Sequence, residues 1–314
     1  MLEVLHPGFL ASIQDLGRYG FRKYGVAVSG AMDNYALRVG NLLLGNPENA
    51  AGIEVMLGYS FKARASVDLW IVITGGDLSP QINKASIPMW TPLEMKRDDI
   101  LTFGVRKSGF RAYITVGGGI DSPLVMNSCS PMAGSSEGIL KSGERLKIHA
   151  QPPPPRMKLQ VLHEEYIPKY GSTIQLSVVF GPQEDYFTAE SLELFLNSEY
   201  TITPQSNRQG YRLEGPKLKH KGTYDVLSEA VWPGAIQVPG DGLPIILCAD
   251  AQTTGGYPKI VSIISADMDK LSQAKPSDRI RFKAVSLGEA QHRFLEREEK
   301  IKTLKRMAET RDGQ

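Results

Sequence analysis

Apolar residues along the 314-residue chain come mainly in short runs, at 67–74, 100–103, 112–116, 174–180, 235–238, 245–249 and 260–265, most of them bounded by Gly, Pro, Asp or Asn. Runs of this length between turn-forming residues predict β-strands. A helical period is visible in few places: at 35–44, where Asp33 can cap the first turn and Gly45 can end the last, at 188–196, at 267–273, and in the tail from Leu287 onward. Strands outnumber helices, so the expected class is mainly β with a few helices, built as barrels or sandwiches rather than as a doubly wound sheet.

The clearest interruption is the proline run at 152–155, which fixes φ, supplies no N–H for pairing and favours an extended spacer. It divides the chain into an expected β domain at 1–150, a proline linker at 151–158, a second β domain at 159–287, and a charged helix and tail at 288–314. A weak echo relates the halves: in 96–103, 141–148 and 275–282 a basic residue opens a polar turn, an acid follows, and apolar residues then alternate. Turn-and-strand units of separate origin would share that pattern. The tail, with Glu296, Arg297, Glu298, Glu299, Lys300, Lys302, Lys305 and Arg306, has the charge spacing of an exposed helix, read as solvated with a partner-binding helix as the alternative, and is assigned no chemistry.

Composition narrows the function. Hydrophobic residues at 41% and charged residues at 22% describe a globular protein and exclude collagen-like, coiled-coil and disordered classes. Lys and Arg number 36 against 34 Asp and Glu, a net charge of +2, too small a field to favour nucleic acid or an anionic membrane as partner. The two cysteines, Cys129 and Cys248, lie far apart, so neither a disulfide framework nor a cysteine-rich zinc site is expected, and both read as reduced. The histidines at 6, 149, 163, 220 and 292 are scattered, so no metal is expected. The longest apolar runs fall short of the roughly 18 residues of a membrane span, and the amino terminus has no basic segment followed by an apolar one; a cytoplasmic location is the expectation.

No glycine-rich phosphate loop of the Walker type and no dinucleotide fingerprint occurs. The stretch 134–138 satisfies G-x-S-x-G formally, but it sits in a polar loop without the strand and helix that a nucleophile elbow requires. Polar clusters are more informative. Residues 14–20, with Asp15 and Arg18, and 29–33, ending in Asp33, bring charged groups and tight-turn glycines onto loops; the plain alternative is that Asp33 only caps a helix and Arg18 pairs with Asp15. Arg208 and Arg212, four positions apart among amide and hydroxyl residues, suit capture of a carboxylate or phosphate, or a loop held by its own salt bridges. The stretch 250–259 gathers Asp250, Gln252, Thr254, Tyr257 and Lys259 around a Gly-Gly turn that lets main-chain N–H groups approach a ligand.

Taken in order, Gln14-Asp15-Leu16-Gly17-Arg18, Ser29-Gly30-Ala31-Met32-Asp33, Gly45-Asn46-Pro47, Ala112-Tyr113, Gly117-Gly118, Ile120-Asp121, the stretch 206–216 and 252–258 resemble the allophanate hydrolase subunit 2 family, also called biotin-dependent carboxyltransferase-like, across roughly 3–287. The resemblance implies tandem cyclophilin-like β-barrel domains, the second at 159–287. It also implies a role as the C subunit of a three-subunit 5-oxoprolinase with subunits B and A, opening 5-oxo-L-proline to L-glutamate at the expense of ATP, with no biotin attached to this chain. Carried residue by residue, it implies a cleft lined by Arg18, Asp33, Arg208, Arg212, Gln252, Thr254, Tyr257 and Lys259, with catalytic roles unassigned. Two other functions fit the same family: antagonism of a histidine-kinase inhibitor by binding, and biotin-dependent carboxyl transfer to urea or a related amide. The chain departs from the family at 128–134, where Ser128-Cys129-Ser130-Pro131 stands in place of a Ser-Thr-Tyr, Arg and Gly-rich stretch.

Overall fold

The computed structural model describes residues 1–150 and 162–309, so the expected proline linker at 151–158 lies outside the described residues. The chain is mainly β and forms two compact units that exchange segments along the sequence. Residues 1–18, 33–170 and 298 onward belong to the first unit, whereas 19–32 and 171–297 belong to the second. Position along the chain therefore does not assign a segment to a unit.

The first unit holds a seven-stranded sheet and a five-stranded sheet. The inner residues of both, among them Leu2, Val4, Ile13, Ile53, Val55, Ile71, Ile73, Ala112 and Ile114, form one apolar core. The five-stranded sheet is buried on both faces. In its central strand, Arg111–Val116, every residue is buried: Ala112, Ile114 and Val116 enter the core, so the period-two pleat turns Arg111, Tyr113 and Thr115 to the other face. That face is covered by helix α1, Asn34–Leu43. Gly40 makes the close approach possible, because a Cβ there would stand 2.8 Å from Thr115 Oγ1. As the sequence predicts, the Asp33 carboxylate caps α1, accepting from Ala36 N–H at 2.9 Å, and Gly45 follows the helix at φ 70°.

The second unit is a closed seven-stranded barrel in the order Thr173–Phe180, Lys259–Ile263, Ala235–Gln237, Ile245–Leu247, Gly210–Glu214, Glu199–Ile202 and Arg279–Ala284. Its lumen is filled with side chains, including Leu176, Ile236, Ile246, Ile260 and a stacked pair, Phe195 and Phe282, 4.4 Å apart. Phe195 comes from α2, Ala189–Asn197, whose N-cap is the Thr188 hydroxyl. The short α3, Met268–Ser272, packs on the first barrel strand.

The three echoed segments fold into the same turn. In each, the acid reaches back to the main-chain N–H of the basic residue that opens it: Asp99 to Lys96 at 2.7 Å, Glu144 to Lys141 at 2.9 Å and Asp278 to Lys275 at 3.0 Å. The residue before each acid, Asp98, Gly143 or Ser277, is left-handed, and a strand follows. The tail is the helix α4, Leu287–Glu309, largely exposed as its charge spacing predicts, but not solvated all round. Ile301 and Leu304 are buried, Arg297 pairs with Asp269 at 2.8 Å in the second unit, and Arg38 forks onto Glu298 at 2.8 Å through both terminal nitrogens in the first. Apolar residues spaced three apart in a charged helix were the signal for docking. Among the described residues no helix is long and apolar enough to cross a membrane, and no cluster of three potential metal ligands occurs.

The face of the sheet beneath α1 is polar, and most of its groups find partners there. The Tyr113 hydroxyl donates to Glu54 Oε2 at 2.7 Å and accepts from Asp33 N–H at 2.8 Å, and Arg111 Nε lies 3.5 Å from Glu54 Oε1. Replacing Tyr113 with Phe leaves a buried carboxylate and a buried N–H each short of a partner. The variant is expected to lose about 1–3 kcal/mol, read as a lower urea midpoint of the first unit.

Candidate functional site

Each expected site residue is held by elements of its own unit. In the first unit Arg18 follows the strand Leu10–Gln14 and is 1% exposed. Its guanidinium is turned to main-chain carbonyls: it donates to Ser130 O, to Pro131 O at 3.3 Å and to Val125 O at 3.5 Å. Asp15, the partner anticipated for it, is engaged with the same loop from another side. Its carboxylate accepts from the hydroxyls of Ser128 and Ser130, both at 2.7 Å, and from Cys129 N–H at 2.7 Å. Arg18 and Asp15 together pin the loop that departs from the family pattern. Met126 and Asn127 in that loop are left-handed, and Cys129, half-buried beside the Asp15 and Asp121 carboxylates, has its thiol pushed up to about 11, first by burial and then by those charges. At neutral pH it is a neutral thiol and a poor nucleophile. A cavity of about 700 Å³ opens beside the loop, and the G-x-S-x-G stretch lies on its wall as turns without strand or helix.

Asp33 is fully buried and doubly used. Beyond capping α1 through one carboxylate oxygen, it accepts the Tyr170 hydroxyl on the other at 3.1 Å. Burial, then the carboxylates of Glu54 and Asp33, hold the Tyr113 phenol well above its ordinary range, so it acts as a neutral hydrogen-bond bridge. Tyr113 appears among the family-like motifs, but Glu54, Arg111 and Tyr170 were missed. Glu54, in the middle of one otherwise apolar strand, and Arg111, at the start of another, were legible as charges that point to a paired burial.

In the second unit Arg208 forms a fork with Asp250, Nε to Oδ2 at 2.9 Å and Nη2 to Oδ1 at 3.2 Å, and also donates to Gly30 O at 2.5 Å. Gly30 belongs to a left-handed turn with Ser29, whose N–H donates to Ala249 O at 3.0 Å. The motif at 29–32 is thus fastened to the start of the loop that runs from Asp250 to Tyr257, and Met32 enters the barrel core. Arg212 lies two residues into the strand Gly210–Glu214, on the outward face, and its guanidinium makes no hydrogen bond or ion pair with the described residues. The two arginines therefore face different surroundings, one paired and one open.

Lys259 is 1% exposed, and its ammonium pairs with Glu229, an acid whose carboxyl is held below its usual range by that hydrogen bond. Gln183 Nε2 donates to the same Glu229 oxygen at 2.5 Å, and the Trp232 ring lies 5.8 Å from Lys259 Nζ. Register separates this group from Arg208. Gly210 pairs with Leu247 at one end of the barrel, while Lys259 pairs with Gln237 and Gln237 with Ile245 at the other. Ile245 and Leu247 are two residues apart on one strand, so the two levels stand about 7 Å apart. The loop 250–258 pairs its strand Thr254–Gly255 with Glu229–Ala230. Gln252, Thr254 and Tyr257 on it are exposed. Of the expected cluster, then, Arg212, Gln252, Thr254 and Tyr257 offer polar groups to solvent, whereas Arg208 and Lys259 act through carboxylate partners.

Against known proteins, the family model for the carboxyltransferase domain, subdomain A and B, matches residues 24–284. The chain is 37% identical over 295 residues to the 5-oxoprolinase C subunit of Escherichia coli, covering 92% of this chain and 93% of that one, and 36% identical over 307 residues to the 5-oxoprolinase C subunit of Haemophilus influenzae with the same coverage. The crystal structure of the Kluyveromyces lactis urea amidolyase superposes with a TM-score of 0.87 at 30% identity, over 96% of this chain and 20% of that much longer one. The closed barrel, the ordered polar loops and the matched span together establish that the chain belongs to the carboxyltransferase-domain family of subdomains A and B, the allophanate hydrolase subunit 2-like proteins.

Proposed function

We propose that the chain is the C subunit of a 5-oxoprolinase, working with subunits B and A in the cytoplasm to open 5-oxo-L-proline to L-glutamate. The observation that carries this reading is the two-way coverage: relatives named as the C subunit of 5-oxoprolinase match this chain almost end to end, whereas the urea amidolyase matches it over only a fifth of its own length. A five-membered lactam resists attack by water, and ATP supplies the phosphoryl group that turns the amide oxygen into a leaving group. The N-terminus of α1 does not suit a phosphate, because the Asp33 carboxylate already occupies the position an anion would take. ATP is assigned to the assembled complex, and no biotin is carried by this chain.

What the chain contributes is recognition. Arg212, exposed and unpaired among the described residues, is a guanidinium open to an anion of the assembled complex, and Gln252, Thr254 and Tyr257 are further exposed polar groups of the second unit. Arg208 is a positioning residue that holds the loop start at Asp250. A second reading, biotin-dependent carboxyl transfer to urea or a related amide, is supported by the family description and by the urea amidolyase superposition.

Two measurements check the proposal. A mixture of this chain with subunits A and B is expected to release glutamate from 5-oxo-L-proline with ATP, and to lose that activity when the chain is omitted; carboxylation of urea by the chain with a biotinylated partner would support the second reading instead. Arg212→Ala is expected to keep the thermal midpoint and lower turnover at least tenfold. Arg208→Ala is expected to lower both, because the largely buried Asp250 carboxylate loses its partner at a cost of about 1–3 kcal/mol.

A further inference from the structure

A cavity of about 370 Å³ in the first unit lies apart from the loop pinned by Arg18 and opens beside Tyr170. Its size is at the lower end of small-molecule sites, roughly 300–1,000 Å³. Three observations mark it as built for a ligand. Its wall contains Gly75 at φ 79°, Ser79 at φ 52° and Trp90 at φ 56°. A bulky aromatic residue rarely adopts the left-handed region, and persists there only where its surroundings enforce it. Here they do: Trp90 N–H donates to Ile73 O at 2.8 Å, and the indole ring lies 6.5 Å from the ring of Tyr35.

The second observation is the indole itself. Trp90 is 4% exposed and lines the cavity, bringing an indole N–H donor to its wall. The third is the pairing of opposite charges across a loose gap. The Asp77 carboxylate is fixed by Ser79 N–H at 2.8 Å, and the Lys107 ammonium stands 3.6 Å from it on a side chain 70% exposed, close enough to attract and too far for a good hydrogen bond. Ile87 and Met89 supply apolar wall between these groups.

We propose that this cavity binds a small ring compound bearing both a carboxylate and an N–H, that is, a cyclic amido or imino acid. Lys107 meets the carboxylate, Asp77 accepts the ring N–H, the Trp90 indole donates to a ligand carbonyl oxygen, and Ile87 and Met89 cover the ring. A ligand with one donor and one anion satisfies both members of the loose ion pair at once, which a simple anion or a simple cation does not. The choice of 5-oxo-L-proline as probe rests on the 5-oxoprolinase reading.

The test is a titration of the chain, labelled with ¹⁵N at its three tryptophans, Trp70, Trp90 and Trp232, with 5-oxo-L-proline and separately with 2-pyrrolidinone, which lacks the carboxylate. The Trp90 indole resonance, assigned through Trp90→Phe, is expected to move saturably with 5-oxo-L-proline and to respond at least tenfold more weakly to 2-pyrrolidinone. Lys107→Met, at an exposed position that keeps the fold, is expected to weaken binding about tenfold to a hundredfold. A flat Trp90 titration, or a Lys107→Met variant that binds as the parent does, overturns the proposal. Glutamate release by the assembled complex is measured in parallel: turnover with a silent Trp90 removes this pocket alone, while a responsive Trp90 without turnover removes the 5-oxoprolinase reading alone.

Discussion

The first unit depends on one constraint: a five-stranded sheet buried on both faces must carry charge on one of them. The apolar face joins the seven-stranded sheet, and the face beneath α1 carries Glu54, Arg111, Tyr113 and Thr74. Burying a lone carboxylate or guanidinium costs several kcal/mol, so each must find a partner within reach. Register supplies it: Tyr113 stands opposite Glu54 on one neighbouring strand and Thr74 on the other, and the Thr74 hydroxyl donates to the main chain of α1 at Ala36 O, 2.8 Å away. The phenol kept neutral by this environment couples the sheet to Asp33, and Asp33 couples it to α1 and to Tyr170. The helix is thus seated by polar contacts of fixed direction as well as by packing.

The second unit divides its cations between two tasks. Arg208 and Lys259 are withdrawn from water and matched with Asp250 and Glu229, so each fastens the end of a loop to the barrel. Gly181 shows how tight that packing is, since a Cβ there would collide with the main-chain oxygen of Lys259. Arg212, by contrast, projects from a strand whose alternate residues, Tyr211 and Leu213, fill the lumen. A buried, paired cation resists displacement because its partner would be left uncompensated, while an exposed one exchanges water for a ligand at little cost. That difference separates a paired from an open guanidinium in the same ten-residue stretch.

Local chemistry made most of the elements legible. The capping of α1 by Asp33 and of α2 by Thr188, the strands at Ile100–Phe103 and Thr173–Phe180, and the three lysine-to-acid turns follow from contacts within a few residues, and their sequences carry the signals complete. The β-rich class follows as well, since short apolar runs between turn residues can bury themselves only by pairing. The family was legible through several polar motifs in a fixed order, each weak alone.

Tertiary structure alone decided which groups meet. Nothing local says that residues 19–32 join the second unit, that Arg18 reaches the carbonyls at 130 and 131, or that Lys259 lies at the other end of the barrel from Arg208. Those outcomes turn on strand register and on pairings far apart in the sequence, where a shift of one residue would reverse every side chain. The chain thus announces its strands, caps and turns by short-range hydrogen bonding and its lineage by motif, while the fate of each charge is settled by the partner that folding brings to it.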